Sequence, residues 1–327
     1  MVGTRASAAG STTVNAITRR HAGNIFLSGR STSGVTVTGK VVTRFTRLVT
    51  SKTTGGVPLW VATDQEGGQV QVLQGSGFDT MPTGLRQGTL SAAALRSDAA
   101  RWGSQLATAG LNMNLAPVVD LLPSRAKAAQ NPPIGAFQRE YGFTPAVIDG
   151  HADAFRAGMK SSGVQTVMKH FPGLGNVTAN TDTTANVKDS VTTGSSASVT
   201  IYRHGITKGA DAIMMSSAIY TKLDKTQPGV FSHKVVTDLL REKLGFDGLI
   251  MTDDVSGATQ VLKWTPAQRA IKSLEAGVDL VLVSADPSVA PAMIDAVVAK
   301  AKADPAFAAV IDTAARRVVT MKNASLK

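Results

Sequence analysis

The chain has no cysteine among its 327 residues, which excludes disulfides, thiolate metal sites and a cysteine nucleophile. Aromatic residues are only 5% of it, and no basic stretch is interleaved with them, so nucleic acid is not an expected partner. No apolar run approaches the roughly 18 residues of a membrane span. The N-terminus lacks the charged-then-apolar pattern of a secretory signal, and the compartment stays open. Acidic charge is missing from the start: no Asp or Glu precedes Asp64, while Arg5, Arg19, Arg20, Arg30, Lys40, Arg44, Arg47 and Lys52 are basic. Most of the net charge of +11 therefore lies there.

What is present is a globular composition, 43% hydrophobic and rich in Ala, Val and Gly, suited to tightly packed α/β layers. Val41, Val42, Phe45, Leu48 and Val49 make a helical apolar face, with Lys40, Arg44 and Arg47 opposite. The basic side is either a solvated face or a contact for an anionic polymer such as those of a bacterial wall.

Short apolar runs suggest eight strands: Met1 to Thr4, Asn24 to Ser28, Leu59 to Thr63, Asn112 to Ala116, Val164 to Met168, Ala212 to Ser216, Gly248 to Thr252 and Asp279 to Ser284. The segment between the first two reads as polar. Helical spacing fills most later gaps: Leu95, Ala99, Trp102 and Leu106; Ala146 to Met159; Ile201 to Lys208; Ser232 to Leu244, closed by Gly245; Ala270 and Leu274; and two closing helices from about Ser288 and Pro305. Alternation of this kind predicts a single (β/α)₈ barrel domain over residues 1–327.

Such barrels place their chemistry at the C-terminal strand ends. Asp64, Asp120, Lys169, His170 and Asp253 each end an apolar run, predicting a polar cup above a dry core. After Lys169-His170, Pro172, Gly173 and Gly175 describe a stiff turn into a mobile polar loop. Carboxylates and cations together, without a metal-spaced histidine cluster, point to carbohydrate chemistry. Glycosidic cleavage needs one carboxylate to attack or activate water and one acid to protonate the leaving oxygen.

Four stretches carry a resemblance: Ala62-Thr63-Asp64-Gln65-Glu66-Gly67-Gly68, Asn114-Leu115-Ala116-Pro117-Val118-Val119-Asp120, Lys169-His170-Phe171-Pro172-Gly173, and Phe246 through Asp254. With Ile134-Gly135, Arg139 and Met214-Met215-Ser216, the chain resembles family 3 glycoside hydrolases, in particular the single-domain β-N-acetylhexosaminidases of bacterial cell-wall recycling. The resemblance implies that Asp253 is the nucleophile of a retaining mechanism, that Asp64, Arg139, Lys169 and His170 hold the terminal sugar, and that no cofactor or metal is used. It implies a carbohydrate substrate containing N-acetylglucosamine.

The chain departs from that pattern on the proton-transfer side. Leu174 stands where the family has the histidine of Gly-His-Gly, and Gln69 where an arginine is common. The family's acid/base histidine lies in an Asp-Ser-His triplet, and the counted positions here read Asn180-Thr181-Asp182. Asp182 becomes the candidate acid/base. Three functions stay open: a β-N-acetylhexosaminidase, another β-glycosidase or a phosphorylase on the same scaffold, and a sugar-binding protein without turnover.

Overall fold

The computed structural model describes residues 1–326. Eight parallel strands form the barrel: β1 (Val2–Arg5), β2 (Asn24–Ser28), β3 (Trp60–Thr63), β4 (Met113–Asn114), β5 (Gln165–Phe171), β6 (Ala212–Met215), β7 (Leu249–Asp254) and β8 (Leu280–Leu282). Each pairs with its neighbours in chain order, and Val2 pairs in parallel with Val283 to close the ring. Closure brings two backbones close together: a Cβ on Gly3 would lie 2.6 Å from the Ser284 carbonyl oxygen, so this position has no room for a side chain.

Alternation along the strands divides the apolar residues between two layers. Phe26, Trp60, Ala62, Met113, Val167, Met214, Met251 and Leu282 fill the barrel interior, while Ile25, Leu27, Val61, Met168 and Ile250 face the helices. Unbranched methionines fill an irregular interior that few aromatics are available to fill. At the N-terminal mouth, Lys322 donates to the carbonyls of Gly23 and Pro58, both at 2.8 Å, with its ammonium over the Trp60 ring. Burial lowers its pKa to about 8.

The outer helices agree with the spacing that predicted them, including Ala92–Thr108, Pro145–Ser161 and Pro305–Ser325. The segment read as polar between β1 and β2 is instead a helix, Ser11–Arg20, burying Thr13, Ala16 and Ile17. Its short stripe among threonines and arginines is too sparse for periodicity to reveal. The helix Lys234–Lys243 is wound as a π-helix.

The basic helix spans Gly34–Thr46 and buries Val41, Val42 and Phe45. Lys40, Arg44 and Arg47 are exposed, while Leu48 and Val49 pack on the core just beyond its end.

Candidate active site

The loops at the C-terminal ends of the strands enclose a cavity of about 470 Å³, lined by Asp64, Arg139, Lys169, His170, Asp182 and Asp253 among others. All six candidates from the sequence therefore meet in one place. The volume is in the range that binds small ligands. Leu115, Met214 and Leu282 add apolar surface from the barrel interior, and Phe137 stands on the lining. A sugar ring, with C–H faces and a hydroxyl rim, suits this mixture.

One wall is a closed network of opposite charges. Asp64 and Glu66 are two residues apart in an extended segment, which sends both carboxylates to one side. The Lys169 ammonium lies 2.6 Å from Asp64 Oδ1 and 2.6 Å from Glu66 Oε1. Burial alone would push the Lys169 pKa down, but the two carboxylates prevail and raise it. Arg139 grips Glu66 with two bonds, Nε to Oε2 and Nη2 to Oε1, both 2.8 Å. Its Nη1 donates to the Pro133 carbonyl at 2.7 Å. Burial would raise the Glu66 pKa, yet Arg139 and Lys169 together hold it at about 2. This bidentate pairing also fixes the Arg139 plane.

His170 completes this wall. In β5 the register against β6 shifts between Lys169 and Phe171, so Lys169 and His170 both reach the cavity although they are adjacent. His170 Nδ1 lies 2.8 Å from Asp120 Oδ2. Asp120 Oδ1 accepts from Leu174 N–H at 2.7 Å. A carboxylate accepting at Nδ1 leaves Nε2 for the cavity side, where it lies 3.5 Å from Arg139 Nη2. The sequence placed Asp120 in the cup itself. It is instead fully buried and absent from the cavity lining, because its acceptors serve the histidine and the turn that follows it.

Also on the lining are two carboxyls, Asp253 and Asp182, with no cation paired to either among the described residues. Asp253 Oδ1 accepts from the Asp254 N–H at 2.7 Å. Burial raises its pKa, against the pull of His170, the Asp254 N–H and Lys169. Reasoning from nearby cations alone would have lowered it; dehydration outweighs them. Asp254 belongs to the loop: its carboxylate accepts from Ser256 Oγ at 2.6 Å, Gly257 N–H at 2.7 Å and Ser284 N–H at 2.7 Å. Asp182 lies on the loop after β5, its N–H bonded to Asn180 Oδ1 at 2.9 Å. Although Asp182 is exposed, its carboxyl is pushed up to about 6, first by partial loss of water to the surrounding protein and then by the Asp253 charge.

The loop carrying Asp182 is less polar than the sequence suggested. Leu174, Val177 and Val187 are buried with Val118, Ile134 and Tyr220 in an apolar cluster, and Asn131 Nδ2 donates to the carbonyls of Leu174 and Val177. Leu174 therefore anchors the loop through packing. The residue of this wall that sequence reasoning passed over is Glu66, which pairs with both Lys169 and Arg139. Its two-residue spacing from Asp64 was the available signal. Among the described residues no group of three or more His, Asp or Glu is arranged to hold a metal ion.

Residues 2–321 match the family model described as the glycosyl hydrolase family 3 N terminal domain. The chain belongs to glycosyl hydrolase family 3, and the barrel and its polar cup are those of a glycoside hydrolase. Among solved structures, a β-N-acetylhexosaminidase from Beutenbergia cavernae is similar at 57% identity and a TM-score of 0.98, covering 99% of this chain and 96% of that one. A β-hexosaminidase of Nitrosomonas eutropha is 33% identical over 247 residues, 72% of this chain and 68% of the relative. An uncharacterized secreted glycosyl hydrolase of Arthroderma benhamiae is 32% identical over 242 residues, 70% of this chain and 64% of the relative. The matches thus span about two-thirds of the length of these curated relatives.

Proposed function

We propose that the chain is a retaining β-N-acetylhexosaminidase that removes terminal N-acetylglucosamine from cell-wall-type glycans, with Asp253 as nucleophile and Asp182 as acid/base. The observation that carries this reading is the meeting of Asp182 and Asp253 in one cavity, facing a wall of paired charges. The names of the similar proteins support the sugar.

In this reading Asp64, Arg139, Lys169 and His170 hold the terminal sugar, with Asp64, Lys169 and His170 reaching its hydroxyls. Arg139 spends two of its donors on Glu66 and so acts largely by fixing that carboxylate. The Asp253 carboxylate attacks the anomeric carbon while the bond to the leaving oxygen breaks, and Asp182 passes its proton to that oxygen. Water then attacks the glycosyl-aspartate ester, Asp182 takes the water's proton, and Asp253 departs as carboxylate. Two crowded carboxyls release their protons in separate steps, so one can stay protonated while the other is ionised. Asp253, where His170, the Asp254 N–H and Lys169 pull against its burial, is the one that acts as carboxylate in this reading. Once Asp182 is ionised its charge repels phosphate, which favours water as acceptor over phosphorolysis.

The test is a panel of chromogenic β-glycosides, with and without phosphate, with the first-formed anomer read by NMR. Turnover of the N-acetylglucosaminide alone, giving the β-anomer without phosphate dependence, is expected. Turnover of other glycosides, dependence on phosphate, or sugar binding without turnover would each replace this reading. The wall-glycan assignment is supported by the exposed Lys40, Arg44 and Arg47. Binding to an anionic wall polymer should weaken as salt screens these charges, and salt-independent binding would remove that support.

A further inference from the structure

The loop carrying Asp182 is held by the segment that follows the strand of Asp253. Thr259 N–H and Oγ1 donate to the Asp182 carbonyl at 3.0 and 2.8 Å. Gln260 N–H donates to the Thr181 carbonyl at 3.0 Å. The buried Gln260 side chain then holds the far limb of the loop: Nε2 donates to the Val187 carbonyl at 3.1 Å, and Oε1 accepts from Val187 N–H at 2.8 Å. One amide thus fills both backbone roles of Val187, as a neighbouring strand would.

The near end of the segment is fixed as well. Asp254 accepts from Gly257 N–H and Ser256 Oγ, so the chain leaves Asp253 along a set path and arrives at Gln260 without slack. The relative placement of the two reacting carboxyls is therefore a property of one short loop. Displacing a reacting group by about 1 Å can cost on the order of a hundredfold in rate.

We propose that Gln260, assisted by Thr259, is a positioning residue that clasps the Asp182 loop and holds its carboxyl against the leaving oxygen. This rests on the reading of Asp182 as acid/base. Proton delivery to the leaving group, and little else, depends on the clasp. The nucleophile lies on the strand before the clasp, where the Asp254 bonds fix it independently of Gln260, and the sugar-holding wall lies on other segments.

The experiment compares Gln260→Met, which keeps length but makes no hydrogen bond, with Thr259→Ala and Asp182→Ala on two substrates. One is an N-acetylglucosamine disaccharide, whose alcohol needs a proton to leave; the other is an activated nitrophenyl glycoside, which does not. Gln260→Met should slow the disaccharide by about thirtyfold and the nitrophenyl substrate by less than about threefold. Its alkaline pH limb should move to lower pH as the freed carboxyl rehydrates. Thr259→Ala removes one surface hydroxyl, folds even if Gln260→Met does not, and should show a smaller loss in the same sense. Equal losses on both substrates, or none, while Asp182→Ala remains selective for the disaccharide, would overturn the clasp and leave the acid in place. No selectivity in Asp182→Ala would overturn the acid assignment, and the clasp with it.

Discussion

The two walls of the cavity are built on opposite principles. On the Lys169 side every charge has a partner: Lys169 sits 2.6 Å from both Asp64 and Glu66, Arg139 grips Glu66 twice, and His170 leans on Asp120. On the Asp253 side two carboxyls stand close without a paired cation among the described residues: Asp253 is half-buried and accepts from the Asp254 N–H, while Asp182 is exposed and only its main chain is tied, to Asn180. Paired groups keep one protonation state, as the Glu66 pKa near 2 illustrates. Unpaired crowded ones titrate where an enzyme works, as Asp182 does at about 6. The first wall can hold a substrate; the second can exchange a proton with it.

The largest expected effect comes from the second wall. Asp253→Asn should reduce turnover by about ten-thousandfold while leaving the melting temperature close to the parent's, because it removes a nucleophile and no ion pair. Retention of more than a tenth of the activity would break the comparison. On the first wall the cost should fall on folding. Lys169→Met leaves Asp64 and Glu66 facing one another without their shared cation, and should destabilise by about 3–5 kcal/mol, read by denaturant unfolding. A loss below about 1 kcal/mol would mean the network is not structural.

Glu140 sharpens the comparison, as a buried carboxyl with neither oxygen hydrogen-bonded to another of the described residues. Burial pushes its pKa up to about 7, opposed first by its own main-chain N–H and then by Arg125. The folded state therefore binds a proton that the unfolded state has released above about 4.5. Stability should fall as pH rises from there to about 7, by roughly 2–3 kcal/mol in total. Glu140→Gln should recover much of that at pH 8 and change little at pH 4.5, measured by urea unfolding at both. Equal effects at the two pH values would contradict it.

Smaller again is the pH dependence of the parent enzyme. With Asp182 near 6, its proton is present below that pH and lost above it. On an N-acetylglucosamine disaccharide, kcat/KM should fall about tenfold per pH unit above roughly pH 6, and on an activated glycoside much less. Parallel profiles on the two substrates would mean that some other group titrates.

The fold was readable from the sequence because strand and helix periods differ and the apolar runs are clean. Seven of the eight strands lie within a residue or two of the runs that predicted them, β4 being the shortest at Met113–Asn114, while β5 runs three residues further, to Phe171. Ser11–Arg20 was not readable as a helix, since only three buried residues, Thr13, Ala16 and Ile17, among threonines and arginines make a weak stripe. The candidate residues were readable as strand-end polar groups, but their partners were not. Nothing local separates Asp120, fully buried behind His170, from Asp253 at the cavity. Nothing in the sequence ties Gln260 to Val187, because that contact exists only once two barrel loops meet.

The most direct measurement is the ratio of rates on an N-acetylglucosamine disaccharide and an activated nitrophenyl N-acetylglucosaminide for Asp182→Ala. As the proposed acid, Asp182 should matter only where the leaving group needs a proton. The disaccharide rate is expected to fall by about a thousandfold and the nitrophenyl rate by less than about tenfold. Equal losses on both substrates, or none on either, would contradict the assignment of the acid to this loop.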